Sequence, residues 1–336
     1  MVIRKLVNII TPSYNSCAFL PKLLESILMQ TYKVVKMFLV DDGSTDETMG
    51  LVHQYVSRFD KRGYKLVYIY QDNAGQSAAM NNALKLIDGE YLVWIDADDY
   101  YTSPLALEKL ISALEDTDDT VGVVRCRYNW IDEQTGKNIR TVKYVYEKTP
   151  DYIVEDAIYR RNGFNYIPGG YAIKTKFLDS FIPNRDIYVE KYTGQNVQIL
   201  LPYLALSKCL TIEDNLYNYV VRVDSHSHGE DYRKILVREE AHLRNFIATI
   251  SNIPNLHEKE KNAYVHEVYR YFLIALLRLD YQNNRTQEFA RHIKLCREQH
   301  VTLSGEQKRL ALWTMVLSIK SYKQFALIIN KCKKLL

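Results

Sequence analysis

The sequence predicts an α/β fold, a mixed sheet flanked by helices, with a helical region after it. Three observations carry this reading. Over the first hundred residues short β-type runs alternate with helical patterns, as strand-helix-strand units require. Every polar cluster in that stretch falls where a strand gives out, and in an open α/β sheet that edge is where ligands bind. Beyond about Asp231 the strand signal vanishes and apolar residues recur at helical spacing, as in Val265, Val268, Phe272, Ala275, Leu276 and Leu279.

The elements follow in order. Residues 6–11 are apolar and β-branched, and the run stops at Pro12, which predicts the first strand. A helix follows over 21–30, where Leu20, Leu23, Leu24, Ile27 and Leu28 form one face and Pro21 suits the first turn. The next strand, 37–40, is broken by Asp41-Asp42-Gly43-Ser44, and Thr45 or Asp46 can cap a helix over 47–59. Residues 66–70, 77–86 and 91–95 predict a strand, a helix and a strand. Strand runs rich in Val, Tyr and Arg occupy 121–145, and 162–170, with Gly163, Pro168 and Gly169 inside it, reads as a loop. The organisation expected is one α/β domain over 1–230 and four or five helices over 231–336. The last helix, 322–336, sets Tyr322, Phe325, Ile329, Cys332 and Leu336 on one stripe and most of its lysines elsewhere.

Composition narrows the class. The chain has 336 residues, 47% of them hydrophobic, and single cores stop growing at roughly 250–300 residues, so two units are expected. The net charge of +4 gives no field that implies nucleic acid as partner. It is uneven: residues 231–336 hold 19 basic and 10 acidic side chains, residues 1–230 hold 25 and 30. Five cysteines, odd in number and without a C-x-x-C spacing, predict a reduced, cytoplasmic chain with no disulfide framework or structural zinc. The N-terminal apolar segment is too brief for a signal peptide, and the longest strongly apolar run, 271–277, is far short of the roughly 20 residues that span a bilayer.

Four polar clusters carry chemistry. Asp96-Ala97-Asp98-Asp99 follows the apolar strand 91–95. Hard oxygen ligands at a strand end suit Mg2+ or Mn2+, which take one or two carboxylates plus substrate phosphate oxygens; the bland alternative is a solvated or helix-capping acid trio. Thr11-Pro12-Ser13-Tyr14-Asn15 can display a tyrosine for stacking on a flat base, or be an ordinary turn. In Val40-Asp41-Asp42-Gly43-Ser44-Thr45-Asp46 a carboxylate can accept from the imide N–H of a uracil, while Ser44 to Asp46 double as a helix cap. Asp72-Asn73-Ala74-Gly75-Gln76 opens a helix with a glycine that permits close backbone approach.

Taken together, strand, T-P-S-Y-N, helix, strand, V-D-D-G-S-T-D, helix, strand, N-A-G-Q-S-A-A-x-N, strand, D-A-D-D resembles the nucleotide-binding half of a family 2 glycosyltransferase of the bacterial surface-polysaccharide type, with the GT-A fold. The resemblance covers roughly residues 5–110 and continues more loosely to about 230. It implies a Rossmann-like mixed sheet with a nucleotide-binding half, 1–110, and an acceptor half, 111–230. It implies that Pro12, Tyr14 and Asp42 hold a uracil, with Asp41 in support and Asn15 in the same cluster. Asn73 and Gly75 would line the nucleotide pocket, Asp96 would contact the ribose, and Asp98 would hold Mn2+ or Mg2+. Residues 216–222, followed by Asp224-Ser225-His226-Ser227-His228, are similar to the family's closing segment, which implies that Arg222, His226 or His228 reaches the diphosphate or metal.

Two departures stand out. Many members carry an arginine where this chain has Met80. The acidic pair that usually follows a glycine and precedes a helix is replaced by Gln195-Asn196, and an amide cannot act as a base near neutral pH. Glu190 or Asp186 is the alternative base, with Gln195 and Asn196 positioning the acceptor.

The function expected is an inverting transfer of a hexose or N-acetylhexosamine from a UDP-sugar to a hydroxyl of a glycan or lipid-linked acceptor, in surface polysaccharide or glycoconjugate synthesis. The competing reading is a catalytically silent nucleotide-sugar-binding or scaffold subunit. The basic C-terminal helices suggest peripheral contact with the inner face of a plasma membrane, weighed against plain helix packing. A second copy of the chain is the remaining candidate partner.

Overall fold

The structure is a computed structural model and describes residues 2–144, 149–190, 192–222, 231–305 and 308. Two compact units are formed, one from Met1–His228 with Ala248–Leu256, the other from Gly229–Ile247 with His257–Leu336.

The first unit opens as β1 (Ile3–Ser13), α1 (Leu20–Leu28), β2 (Val35–Asp42), α2 (Thr48–Arg62), β3 (Lys65–Gln71), α3 (Gln76–Leu84) and β4 (Gly89–Trp94). It continues as β5 (Tyr100–Tyr101), α4 (Ala106–Glu115), β6 (Val121–Asp132), β7 (Asn138–Val142), α5 (Val154–Tyr159), β8 (Tyr171–Lys174), α6 (Leu178–Phe181), α7 (Asn196–Leu206) and β9 (Lys208–Val221). The strands join in the order β3-β2-β1-β4-β8-β6-β9-β5, with β7 beside β6. The first four are parallel, whereas β8 is antiparallel to both β4 and β6, so the sheet is mixed.

Strand alternation divides the two faces. Val7 and Ile9 of β1 join Leu20, Leu23, Leu24 and Ile27 of α1, Val52 and Phe59 of α2, and Leu107 and Leu110 of α4 in one core cluster. The α1 residues are those the periodicity selects. On the other side α3 packs on β1 and β2, and α7 on β6 and β9. Both faces are covered, which is why the central strands read as continuous Val/Ile/Leu runs.

The first strand does not stop at Pro12. It runs to Ser13, with Pro12 opposite Val40. The N–H of Ile95 reaches the Ile10 carbonyl at 3.0 Å and that of Val7 the Val34 carbonyl at 3.0 Å, so even-numbered residues of β1 turn their backbone groups toward β4. β4 pairs with β1 only as far as Ile10. The donor that Pro12 lacks therefore falls where β1 has no neighbour. The second helix gains its last turn to Arg62 and ends on Gly63 at φ +82, the left-handed conformation a helix terminus uses. Asp46 caps it, accepting the Thr48 N–H at 3.0 Å.

One tie fastens the far side of the sheet to the loop after β4. Asp99, fully buried, accepts the Val220 N–H at 2.8 Å and the Tyr217 hydroxyl. Burial, with the charges of Asp98 and Asp96 beside it, pushes the Asp99 carboxyl well above the usual range. Gly169, at φ +72, admits the Tyr217 ring: a Cβ there would lie 2.0 Å from it.

The second unit contains, among its described residues, α8 (Tyr232–Asn252) as far as Ile247, α9 (Glu258–Gln282) and α10 (Thr286–Glu298). The amphipathic stretch over 322–336 lies outside the described residues, where three helices are seen. Leu273, Leu276, Leu277, Phe289, Ile293 and Cys296 form a cluster between α9 and α10. Among the described residues no helix is long and apolar enough to cross a membrane. A buried ionic chain links the three helices: His292 Nδ1 lies 2.6 Å from Asp280 and its Nε2 3.4 Å from Glu240, while the Tyr232 hydroxyl donates to Asp280 at 2.7 Å and Arg291 pairs with Glu240.

Two predictions follow from these ties. Replacing Tyr217 with Phe removes a donor from a buried carboxylate and should destabilise the protein by about 1–3 kcal/mol; equilibrium denaturation that leaves the midpoint unmoved would refute the tie. Burial alone would lower the His292 pKa, but the hydrogen bonds with Asp280 and Glu240 hold it above its ordinary value. A group raised in the folded state stabilises fully below its unfolded pKa, about 6.5, and loses that contribution as pH rises through the folded value. Glu240 runs oppositely: His292 and Arg291 hold it down to about 2, so its contribution disappears only as pH falls toward that value. Amide-exchange protection of α9 and α10 should therefore drop from mildly acidic to mildly alkaline pH, and His292→Gln should flatten the dependence. Protection that does not change with pH would contradict the assignment.

Candidate functional site

The polar clusters meet at the carboxyl edge of β1, β2, β3 and β4. Asp41, the last residue but one of β2, is fully buried, its carboxylate accepting the Ser44 N–H at 2.8 Å and the Tyr68 hydroxyl at 2.6 Å. Both oxygens thus hold the turn into α2 and the neighbouring strand. Asp42, buried beside it, accepts from Gln71 Nε2 at 2.7 Å, Ala74 N at 2.8 Å and Gly75 N at 2.8 Å. A carboxylate has about four acceptor sites, so one remains. Asn73 closes the same turn by donating to the Asp42 carbonyl at 3.0 Å. Gly43, at φ +79, lets the two loops touch, since a Cβ there would lie 2.8 Å from the Asn73 nitrogen.

The loop after β1 is tied down from the same side. Asn15 takes a left-handed φ of 48°, which asparagine tolerates, donates its N–H to Ser44 Oγ at 2.9 Å and accepts the Thr45 N–H at 2.8 Å. Asn15 is therefore a clasp between the two loops. Tyr14, one residue earlier, stands 45% exposed, available to a flat ligand. Beneath it the Thr11 and Ser13 hydroxyls are buried and make no hydrogen bond. Unsatisfied buried groups each cost about 1–3 kcal/mol. Both lie inside the T-P-S-Y-N cluster, but nothing in the pattern marks their hydroxyls as orphaned.

The three acids after β4 part ways. Asp99 belongs to the tie with β9. Asp98 pairs with Arg222 at 3.2 Å; the guanidinium also lies 3.6 Å from Glu133 and 3.8 Å from the centre of the Phe19 ring. Asp96 accepts from Gln195 Nε2 at 3.2 Å. Burial, with the Asp98 charge adding, raises the Asp96 carboxyl well above the usual range, against the pull of the Gln195 bond. Two carboxylates and one arginine leave the edge short of positive charge. Among the described residues no three His, Cys, Asp or Glu side chains cluster so as to hold a metal by themselves.

The amides at the start of α7 are committed. Gln195 is fully buried, with Nε2 on Asp96 and Oε1 without a partner. An acid at 195 would set another carboxylate against Asp96. Asn196 Oδ1 accepts the indole N–H of buried Trp94 at 2.9 Å. The loop before them is stapled to α3: Asn81 donates to the Ile187 carbonyl and accepts the Ile187 N–H, both at 2.9 Å, and Gln198 bonds Tyr188 O at 2.9 Å and Ser77 Oγ at 3.2 Å. That staple presents Glu190, whose carboxylate accepts the Tyr188 hydroxyl at 2.8 Å. Asp186 is exposed, 3.7 Å from Lys85. Met80 is fully buried, so an arginine in that position would begin in the core. His226 and His228 lie outside the described residues.

Comparison with known proteins agrees with this geometry. The family model for glycosyl transferase family 2 matches residues 8–180. An uncharacterized glycosyltransferase, RP339, of Rickettsia prowazekii is 35% identical over 130 residues, a match that spans 39% of this chain and only 38% of that protein. Among solved structures, S. aureus TarS 1–349 in complex with UDP-GlcNAc aligns over 92% of this chain and 79% of its own, with a TM-score of 0.61 at 18% identity. Mannosyltransferase PcManGT from Pyrobaculum calidifontis, in complex with GDP-Man and Mn2+, covers 97% and 79%, with a TM-score of 0.52 at 17% identity. A match over half of the chain, falling on the very strands that carry Asp41, Asp42, Asp96 and Asp98, makes this protein a member of glycosyl transferase family 2, a glycosyltransferase built on the GT-A fold.

Proposed function

We propose that this glycosyltransferase moves a hexose or N-acetylhexosamine, with inversion, from a UDP-sugar to a hydroxyl of a glycan or lipid-linked acceptor, in the synthesis of a surface polysaccharide or glycoconjugate. The observation that carries this reading is the Asp96–Asp98 pair, whose charge is only partly met by Arg222 and Gln195. Two carboxylates that need a further cation fit Mg2+ or Mn2+, which complete their shells with phosphate oxygens and water. When bound at Asp98, with Asp96 beside it, such an ion would neutralise charge growing on the departing diphosphate. Support comes from the TarS and PcManGT complexes, which hold UDP-GlcNAc and GDP-Man.

The chain's own groups supply the rest. Tyr14 stacks on the base above Pro12, and the open acceptor site of Asp42 takes the uracil imide proton, with Asp41, Asn15, Asn73 and Gly75 shaping the pocket. Asp96 accepts from the ribose. Arg222 offers a planar, permanently charged fork to the diphosphate; His226 and His228, just beyond it in sequence, belong to the same segment. Glu190 takes the proton from the attacking hydroxyl, while Gln195 and Asn196 hold Asp96 and Trp94 in place. Those committed amides are also what a silent nucleotide-sugar binder would show, and turnover separates the two readings.

Asp98→Asn should abolish the Mn2+-dependent rise in melting temperature with UDP and cut UDP release from UDP-sugars at least 100-fold, the scale of lost electrostatic stabilisation. A variant that keeps both would remove Asp98 from the site. Glu190→Gln should abolish transfer and leave the UDP-induced thermal shift intact. Undiminished transfer would rule Glu190 out, and a wild type that binds UDP with Mn2+ yet releases none from any UDP-sugar or acceptor tried would favour the silent binder.

A further inference from the structure

A groove of about 560 Å3 opens between α1, α2 and the β5–β9 edge of the first unit. Ligand pockets run from roughly 300 to 1,000 Å3. Its apolar wall is tyrosine: Tyr55 and Tyr101 are buried and Tyr100 half-exposed. Its polar groups are arranged on two sides.

On the sheet side an amide is held in one orientation. Asn129 Oδ1 accepts from Asn138 Nδ2 at 3.0 Å, Thr141 Oγ1 at 2.8 Å and Asn215 Nδ2 at 2.5 Å. Its Nδ2 donates to Asn218 Oδ1, 2.9 Å away. Asn218 lines the groove at 8% exposure and brings an amide to this wall.

On the helix side Glu25 accepts the Tyr55 hydroxyl at 2.8 Å and both arms of Arg58, at 2.5 and 2.8 Å. Arg58 cancels its charge, and the bond with that guanidinium holds the Glu25 carboxyl below its usual range against burial, which pushes it up. The groove therefore has acceptors there without a net negative wall. Lys22 Nζ stands 5.9 Å from the centre of the Tyr100 ring and adds a donor at the rim. The half-exposed Tyr100 ring, set among donors and acceptors, matches a saccharide, whose C–H faces lie on rings and whose hydroxyls both donate and accept.

The groove and the site draw on the same stretch of chain. Along β9, Asn218 lines the groove, the Val220 N–H holds Asp99, and Arg222 holds Asp98. Four residues of strand span roughly 13 Å. We propose that the groove is a saccharide subsite holding units of the acceptor glycan beyond the one that reacts. The word acceptor rests on the transfer reading above; the binding does not.

The test is a printed array of bacterial surface-polysaccharide fragments and neutral trisaccharides, probed with the full chain in saturating UDP and Mn2+. At least one glycan should be retained, and both Tyr100→Ala and Lys22→Ala should weaken retention about tenfold, the scale of one lost contact in a small site. Lys22 is exposed, so its replacement leaves the fold intact even where Tyr100→Ala does not fold. Lys22→Ala should release UDP from donor alone at the wild-type rate. No retained glycan, or equal retention by Lys22→Ala, would each overturn the subsite. Loss of UDP release in the wild type with tyrosine-dependent retention intact would instead overturn the donor reading and leave the groove standing.

Discussion

Acidic side chains crowd the carboxyl edge of this sheet, and the arrangement of the first unit depends on how their charge is shared. Two unit charges 4 Å apart interact by about 4 kcal/mol at an effective dielectric of 20, a repulsion large against the stability of a whole domain. Each carboxylate meets it differently. Asp41 and Asp42 are wrapped by backbone and side-chain donors from the loops they anchor. Asp99 is turned into the protein toward Tyr217 and Val220. Only Asp96 and Asp98 keep a demand that one amide and one arginine meet in part. Three of the five acids are thus satisfied within the protein, and two are left with part of their charge unmet.

The neutralising partners lie far along the chain. Gln195 is 99 residues from Asp96, Arg222 is 124 from Asp98 and Val220 is 121 from Asp99. The same holds for the Asn81–Ile187 staple, 106 residues apart. These bonds fasten the second half of the unit to the first, so the loop with Glu190 is placed by residues that have no acid-base chemistry of their own. They also account for the amides where an acidic pair is usual. Gln195 donates to a carboxylate that a glutamate would repel, and Asn196 accepts an indole proton that any residue replacing it must also accept.

Much of this was legible in the primary structure, and the boundary has a physical origin. The buried face of α1, the helix cap at Asp46, and the placement of D-A-D-D and V-D-D-G-S-T-D at strand ends all follow from periodicity and turn chemistry over a few residues. Proline ends most strands, but β1 runs on through Pro12 because β4 pairs with it no further than Ile10, opposite Trp94. The three acids of D-A-D-D look alike in sequence, and nothing local says that the third turns inward. Thr11 and Ser13 sit in a recognised cluster, yet their lack of partners exists only once β1 is buried.

The α/β class, the chain order of the strands that carry the polar clusters and the family they mark were legible in residue patterns alone, because periodicity and turn chemistry act within one element. Which acids are satisfied, which amides are engaged, and the groove at the β5–β9 edge came only with folding. Those outcomes depend on contacts between residues about a hundred positions apart, and solvent exclusion, which gives such contacts their energy, comes into being only when the sheet is assembled.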